Sequence, residues 1–200
     1  MKKILAIIIL NICLIFPSQA DDTRDFQIGN FSLNESLLDK FTKEKLISNW
    51  EYQKKTYTFA NNKYYKIVFS DKKYKPYDQI VLYTLRSDEL FKIKSITGIR
   101  SSMDIQKCRK EQISISDDFT KLFPNSSKKT YGPTKKASDP TGKSFENGIY
   151  FVLNNGDQAG ISCIDYGKEF LKKYSYSSDH MQIFLDTKKY ATWLQTEAWK

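Results

Sequence analysis

Residues 149–165 read IYFVLNNGDQAGISCID, and they carry the clearest secondary-structure signal in the chain. Two runs rich in apolar residues, 149–153 and 158–165, flank the polar tetrapeptide Asn154-Asn155-Gly156-Asp157. Asn-Gly between two such runs is typical of a β-hairpin, because both residues tolerate the positive φ angles of a type I′ turn. The stretch therefore predicts an antiparallel hairpin with a type I′ turn at Asn155-Gly156.

Further strands are predicted on both sides of this hairpin. Alternating apolar and polar residues indicate strands at 57–59, 63–70, 79–86, 91–99 and 181–185. The run from Ile80 to Leu85 is apolar on both faces, which favours a central strand. Ile96 falls out of phase with Phe91 and Ile93, which indicates a β-bulge near Ser95.

Apolar residues at helical spacing predict helices at 32–50, at 103–122 and from Asp186 towards the C-terminal end. Ser32 and Glu35 fit a capping box and Thr42 fits a second N-cap, so the first segment is one bent helix or a short helical hairpin. Pro124 is expected to end the second helix. Asp186 is expected to cap the last one.

This order of elements predicts an α+β fold in which helices pack on antiparallel β-meanders. A helical segment followed by an antiparallel meander occurs twice, which suggests two similar α-βββ halves, 21–100 and 101–200, and a C-terminal helix. Because the halves share no convincing residue identity, the repeat is a hypothesis about architecture. We expect one globular α+β domain over residues 21–200.

The N-terminal residues have the composition of an export signal. Residues 1–20 contain two lysines, a short apolar stretch, and small residues at Ser18 and Ala20. This pattern predicts a signal peptide that is cleaved between Ala20 and Asp21, and therefore a periplasmic or secreted protein. No later run approaches the roughly 20 apolar residues of a membrane-spanning helix, so we expect no transmembrane segment in the mature form.

Two cysteines, Cys108 and Cys163, remain after cleavage at this site. In an oxidising compartment an isolated pair predicts one structural disulfide, since redox-active pairs are typically Cys-x-x-Cys. Closing a loop of about 55 residues would stabilise the fold by roughly 4 kcal/mol.

The chain is basic, with a formal net charge of +9 that falls to +7 when Lys2 and Lys3 are removed with the leader. A basic exported protein favours anionic partners such as an envelope polymer or an acidic protein, and the alternative is that the charge serves solubility. Lysines and aromatic residues interleave between residues 54 and 77. We interpret these segments as amphipathic strands with a lysine-coated face and do not expect a nucleic-acid partner.

Residues 124–147 lack periodicity and are longer than most connections. We interpret this segment as a candidate anion-binding loop, with a disordered segment as the alternative. Only Asp139 and Glu146 oppose its five lysines there, which are Lys128, Lys129, Lys135, Lys136 and Lys143.

Within the same segment, residues 137–144 read ASDPTGKS and match a relaxed P-loop pattern. A P-loop needs an apolar strand before it and a helix after it, so that backbone amides converge on phosphates. Neither is predicted here, Ala137 replaces the first glycine, and Pro140 lies inside the pattern. We therefore expect no nucleotide partner.

His180 is the only histidine, which rules out a three-histidine zinc site. Its neighbour Asp179 would point away from it on an extended chain, and no serine lies in a recognisable nucleophile elbow. We expect His180 at the surface or at the start of a strand. The sequence singles out no catalytic, cofactor-binding or metal-binding residue, and we expect no cofactor.

Ile28-Gly29, Ser32-Leu33 and Ser36 to Asp39, followed by a meander, resemble the start of small two-layer envelope modules. These are the modules of the outer-membrane-assembly lipoprotein and β-lactamase-inhibitor-like type. The whole chain resembles uncharacterised secreted bacterial proteins in its abundance of Lys, Ile, Asn and Tyr. The resemblance implies an envelope location and assigns no role to any residue.

These observations favour an exported, non-enzymatic module that binds a protein or an anionic envelope component. The alternative is a hydrolase of envelope polymers that acts through carboxylates. A cleft with two carboxylates about 5–10 Å apart, one of them with a raised pKa, would favour the enzyme.

Overall fold

The computed structural model describes residue 23 and residues 26–54, 59–136, 139–174 and 178–200. The predicted signal peptide, its cleavage site at Ala20 and Asp21, and most of the predicted strand at 57–59 lie outside these residues.

Within the described residues, seven strands form one antiparallel sheet in the order β1-β2-β3-β7-β6-β5-β4. The strands are β1 (Tyr64–Phe69), β2 (Gln79–Leu85), β3 (Ile93–Ser101), β4 (Ser127–Lys135), β5 (Phe145–Val152), β6 (Gln158–Asp165) and β7 (His180–Asp186). The helices are α1 (Lys43–Gln53), α2 (Ile105–Leu122), α3 (Lys168–Lys173) and α4 (Lys188–Thr196). The α+β prediction is confirmed, and β7 joins the meander β1–β3 to the meander β4–β6.

Helices α1 and α2 pack on the same face of the sheet, which we call the inner face. Leu46 of α1 and Cys108 of α2 belong to one buried cluster with strand residues that include Ile67, Ile96 and Ile161. Burial of these apolar side chains is the main stabilising term of the fold. None of the described helices combines the length and the apolar content needed to cross a bilayer.

The opposite, outer face is covered by α4 near β1, β2 and β3. Trp193 packs on Tyr64 at a ring-centroid distance of 4.7 Å, and Tyr190 packs on Tyr83 at 5.0 Å. Because α4 covers its outer face and the core covers its inner face, β2 is apolar on both faces. β2 is thus an interior strand of the sheet, whereas the central strand is β7 and not β2 as predicted.

Cys108 of α2 and Cys163 of β6 lie within disulfide distance, with their Cα atoms 6.0 Å apart. The predicted pair therefore joins the second helix to the sheet on the inner face.

Strand β4 corrects the expectation that residues 124–147 are a loop without periodicity. Residues Ser127 to Lys135 pair with β5 at the edge of the sheet, with a register shift between Tyr131 and Thr134. All of β4 is exposed except Tyr131, which is half-buried. Alternation of apolar and polar residues marks strands with one buried face, so an edge strand that is wet on both faces lacks it.

The hairpin between β5 and β6 is confirmed, but the predicted type I′ turn is wrong. Gly156 has a φ of 85°, whereas Asn155 is not among the residues with positive φ. The Gly156 N–H donates to the Leu153 carbonyl at 2.8 Å, and the Leu153 N–H donates to the Asp157 carbonyl at 2.9 Å. This is a three-residue loop that ends in a glycine bulge, a form that needs only one positive φ.

Two of the predicted helix caps are corrected and one is confirmed. The Ser32 N–H donates to the Glu35 carboxylate at 3.1 Å, but the pair closes a turn and α1 begins after Thr42, whose hydroxyl caps it as predicted. Thr187, and not Asp186, caps α4. Asp186 instead ends β7 as a buried residue.

The predicted bulge near Ser95 is confirmed. Tyr83 pairs with Ser95 while Thr84 pairs with Ile93, which leaves Lys94 as the extra residue. The Lys94 carbonyl accepts hydrogen bonds from both the N–H and the hydroxyl of Thr187, each at 2.9 Å. The bulge therefore anchors the start of α4.

Candidate functional site

The outer face of β4, β5, β6 and β7 lies beside α4 and keeps partly exposed side chains. We call this surface the open face and define it by Lys129, Tyr131, Glu146, Tyr150, Gln182 and Phe184. The register places these residues in adjacent rows across the strands. Lys129 is exposed and the other five are half-buried.

Two aromatic rings of the open face lie over glycines on the neighbouring strand. Tyr131 pairs with Gly148 across β4 and β5, and a Cβ atom at Gly148 would overlap the Tyr131 ring. Phe184 pairs with Gly160 across β7 and β6, and a Cβ atom there would overlap the Phe184 ring. The glycines therefore let both rings settle against the backbone of the sheet.

Glu146 is the centre of a hydrogen-bonded network at one end of the open face. Its carboxylate accepts from the Tyr131 hydroxyl at 2.7 Å and from the Lys136 ammonium at 2.5 Å. Burial alone would raise the pKa of Glu146. The charge of Lys136 and these hydrogen bonds lower the pKa by more than burial raises it, so the net shift is downward. Burial and the nearby Glu146 charge raise the pKa of Tyr131. Glu146 is thus a carboxylate and Tyr131 a neutral phenol at neutral pH.

His180 is connected to this face through Gln182. His180 is the first residue of β7, and the start of a strand is one of the two predicted positions. Its side chain is not at the surface, since His180 is only 9% exposed. Its Nδ1 lies 2.8 Å from the Ser178 carbonyl and its Nε2 lies 3.0 Å from the Gln182 amide nitrogen. Burial lowers the pKa of His180, so the network assigns a neutral ring with Nδ1 as the donor and Nε2 as the acceptor. Both nitrogens are occupied, and neither is available to activate a nucleophile.

The structure separates the five lysines of the predicted anion-binding loop. Lys136 pairs with Glu146, and Lys143 pairs with Glu169 at 2.5 Å. Lys128, Lys129 and Lys135 are exposed on β4, and none of the three forms an ion pair with an acid in the described part of the chain. We call these three residues the β4 lysines.

The P-loop-like segment closes on its own carboxylate. Asp139 accepts hydrogen bonds from the backbone N–H groups of Thr141, Lys143 and Ser144, and from the hydroxyls of Thr141 and Ser144. Burial raises the pKa of Asp139, but these hydrogen bonds outweigh it and lower the pKa to about 2. The backbone N–H groups that would have to bind a phosphate therefore donate to Asp139 instead. The segment connects strand β4 to strand β5. Residues 137 and 138 lie outside the described part.

Two carboxyl groups in the described residues have a raised pKa. Burial and the charges of Asp165 and Asp104 raise the pKa of Asp179, which is half-buried and accepts a hydrogen bond from the Tyr166 N–H at 2.8 Å.

The other carboxyl group is that of Asp186. Burial raises its pKa to about 7, and the charge of Asp157 adds to the shift. However, Asp186 is 6% exposed, and Asp157 is engaged with the Thr23 hydroxyl at 3.0 Å and the Lys188 N–H at 2.9 Å. Asp157 therefore supports the start of α4. In the described residues, no group of three or more His, Cys, Asp or Glu side chains converges on a metal position.

Sequence reasoning missed the open face. The signal that could have found it is the spacing of Glu146, Gly148 and Tyr150, which alternate with the inner-face residues of β5. Comparison with known protein families, curated proteins and solved structures finds no match to this chain.

Proposed function

We propose that the protein is an exported, non-enzymatic module that binds an anionic component of the envelope through the open face and the β4 lysines. The observation that supports this most is the juxtaposition of Lys129 with the rings of Tyr131 and Tyr150. Lys129 pairs with Tyr150 across β4 and β5, and the two tyrosine rings are 6.1 Å apart. A cation without an acidic partner beside partly exposed rings suits a ligand with negative groups and apolar surface.

Lys129 supplies positive charge on the open face itself. Lys128 and Lys135 pair with Phe151 and Phe145, and they lie on the other side of the same edge strand, where the Lys128 ammonium is 5.7 Å from the Phe151 ring centroid. A lysine in an ion pair must give up its partner before it binds an anion, whereas an unpaired exposed lysine gives up only water. The predicted loop is therefore reduced to Lys128, Lys129 and Lys135, and Lys136 and Lys143 take structural roles.

The arrangement of acid and base groups supports a binding role over catalysis. His180 uses both ring nitrogens, Glu146 is held ionised by Lys136, Asp186 is buried, and Asp179 accepts a hydrogen bond from the Tyr166 N–H. General acid–base catalysis needs a group with a free position towards the substrate and a pKa near the working pH. The carboxylate-dependent hydrolase of the sequence analysis is therefore the weaker proposal.

Capture from an envelope extract tests the proposal. Residues 21–200 are immobilised and exposed to the extract at low and at high salt. We expect an anionic polymer to be retained at low salt and released at high salt, because screening weakens attraction between exposed charges. Salt-insensitive capture of a single protein would contradict the proposal.

A further inference from the structure

We propose that the ligand of the open face is an acidic polysaccharide whose sugar rings stack on Phe184 and Tyr150. This inference depends on the proposed function and adds to it the chemical class of the ligand.

One row of cross-strand partners on the open face places two aromatic residues in line with a lysine. Lys129, Tyr150, Gly160 and Phe184 are consecutive cross-strand partners on β4, β5, β6 and β7. The Cα atoms of Tyr150 and Phe184 are therefore two strand spacings apart, about 10 Å. The Phe184 ring lies over Gly160 between them, so the two half-buried rings form an apolar platform with no other side chain between them.

The next row supplies polar groups along one side of this platform. Tyr131, Gly148, Ser162 and Gln182 are consecutive cross-strand partners. The Gln182 amide is half-buried, and its oxygen accepts from the Ser162 hydroxyl at 3.5 Å. One amide N–H of Gln182 is donated to His180 and the Tyr131 hydroxyl is donated to Glu146. The second amide N–H and the lone pairs of the Tyr131 hydroxyl oxygen can still bind sugar hydroxyls.

A polysaccharide uses all three parts of this surface. The C–H groups on one side of a sugar ring are attracted to the negative face of an aromatic ring. The hydroxyls at the ring edge can bond to the polar row, and acid groups of the polymer can meet Lys129 on the open face. They can reach Lys128 and Lys135 where the polymer passes over the edge of the sheet. An acidic peptide or a polyphosphate would contact the lysines without stacking on the aromatic platform.

The test compares three polyanions of matched charge and length: polygalacturonate, polyglutamate and oligothymidylate. Affinities for residues 21–200 are measured by titration calorimetry at one salt concentration. Phe184→Ala and Tyr150→Ala remove the platform, and Tyr52→Ala removes an aromatic residue of α1 that is 67% exposed and away from the sheet face. Circular dichroism and thermal unfolding establish that each variant is folded.

We expect wild type to bind polygalacturonate about tenfold more tightly than polyglutamate, because stacking adds to the charge term. Phe184→Ala and Tyr150→Ala should each lose most of this preference and keep their affinity for polyglutamate, and Tyr52→Ala should change neither. Ring resonances of Phe184 and Tyr150 in the wild-type protein should also shift with polygalacturonate and not with polyglutamate. That measurement needs no variant to fold.

Equal affinity for polygalacturonate and polyglutamate, or tighter binding of oligothymidylate, would overturn the polysaccharide inference and leave the proposed function intact. Failure to bind any of the three polyanions would overturn both.

Discussion

Asn49 binds both backbone groups of Val68 at the outer edge of β1. The Asn49 amide nitrogen donates to the Val68 carbonyl at 2.8 Å, and the Val68 N–H donates to the Asn49 carbonyl oxygen at 3.0 Å. The side chain thus pairs with an edge strand as a further strand would. The other edge, β4, has the β4 lysines and Pro133, which discourage pairing with another chain.

Asn49→Ala should therefore destabilise the protein by about 1–3 kcal/mol, because two backbone groups lose their partner. The free energy of unfolding in urea measures the effect. Ser48→Ala, at an exposed position of the same helix, is the matched control and should stay within about 0.5 kcal/mol of wild type. Equal stability of the two variants would contradict this role of Asn49.

Asp186 should make the stability of the protein fall as the pH rises towards neutrality. Its pKa in the fold is about 7, above the value of about 3.9 expected in an unfolded chain. The contribution of the protonated acid is therefore fully present below about pH 4 and is lost as the pH rises through about 7. Asp186→Asn keeps the shape and removes the titration. We expect it to be more stable than wild type at pH 8, by up to about 4 kcal/mol, and similar at pH 4. Urea titrations at pH 4 and pH 8 measure the difference in unfolding free energy between Asp186→Asn and wild type. The same difference at both pH values would contradict the raised pKa of Asp186.

Joining Cys108 to Cys163 closes a loop with a sequence separation of 55 residues. Reduction should lower the free energy of unfolding by roughly 4 kcal/mol. Thermal unfolding with and without reductant measures this change. The Cys108→Ala/Cys163→Ala variant is the control, because reductant should leave its midpoint unchanged. A wild-type midpoint that ignores reductant would show that the pair is not bonded.

Gly148 should be required only while Tyr131 is present. Gly148→Ala places a methyl group where the Tyr131 ring lies and should destabilise the protein by about 1–3 kcal/mol. In the Tyr131→Ala background the same change should be neutral or stabilising, because alanine is favoured over glycine within a strand. The double-mutant cycle of unfolding free energies gives the coupling. Additive effects would mean that the ring does not depend on Gly148.

Much of the fold could be predicted because half-buried elements have clear periodicity. The hairpin at 149–165 and the amphipathic α2 each have one buried side and one wet side, which is the pattern that sequence reasoning detects. β4 escaped prediction since both of its faces are exposed, and the type I′ turn was wrong because Asn155 adopts no positive φ. The position of β7 between two meanders is a long-range pairing that no local pattern specifies.

Of the candidate site, the sequence predicted only the positively charged residues. Lys128, Lys129 and Lys135 were among the residues expected to bind anions, whereas the pairing of Lys136 with Glu146 depends on the register of β4 against β5. The platform of Tyr150 and Phe184 joins strands far apart in sequence, so it becomes visible only once the sheet order is known.

The most direct test of the binding proposal is the affinity of two charge-matched variants for polygalacturonate at low salt. Lys128→Gln/Lys129→Gln/Lys135→Gln removes the β4 lysines, and Lys107→Gln/Lys110→Gln/Lys189→Gln removes three exposed lysines of α2 and α4. If the β4 lysines hold the anion, the first variant should bind at least about tenfold more weakly than the second and show a shallower salt dependence. Equal weakening in both variants would mean that only the net charge of the protein matters and would contradict the account.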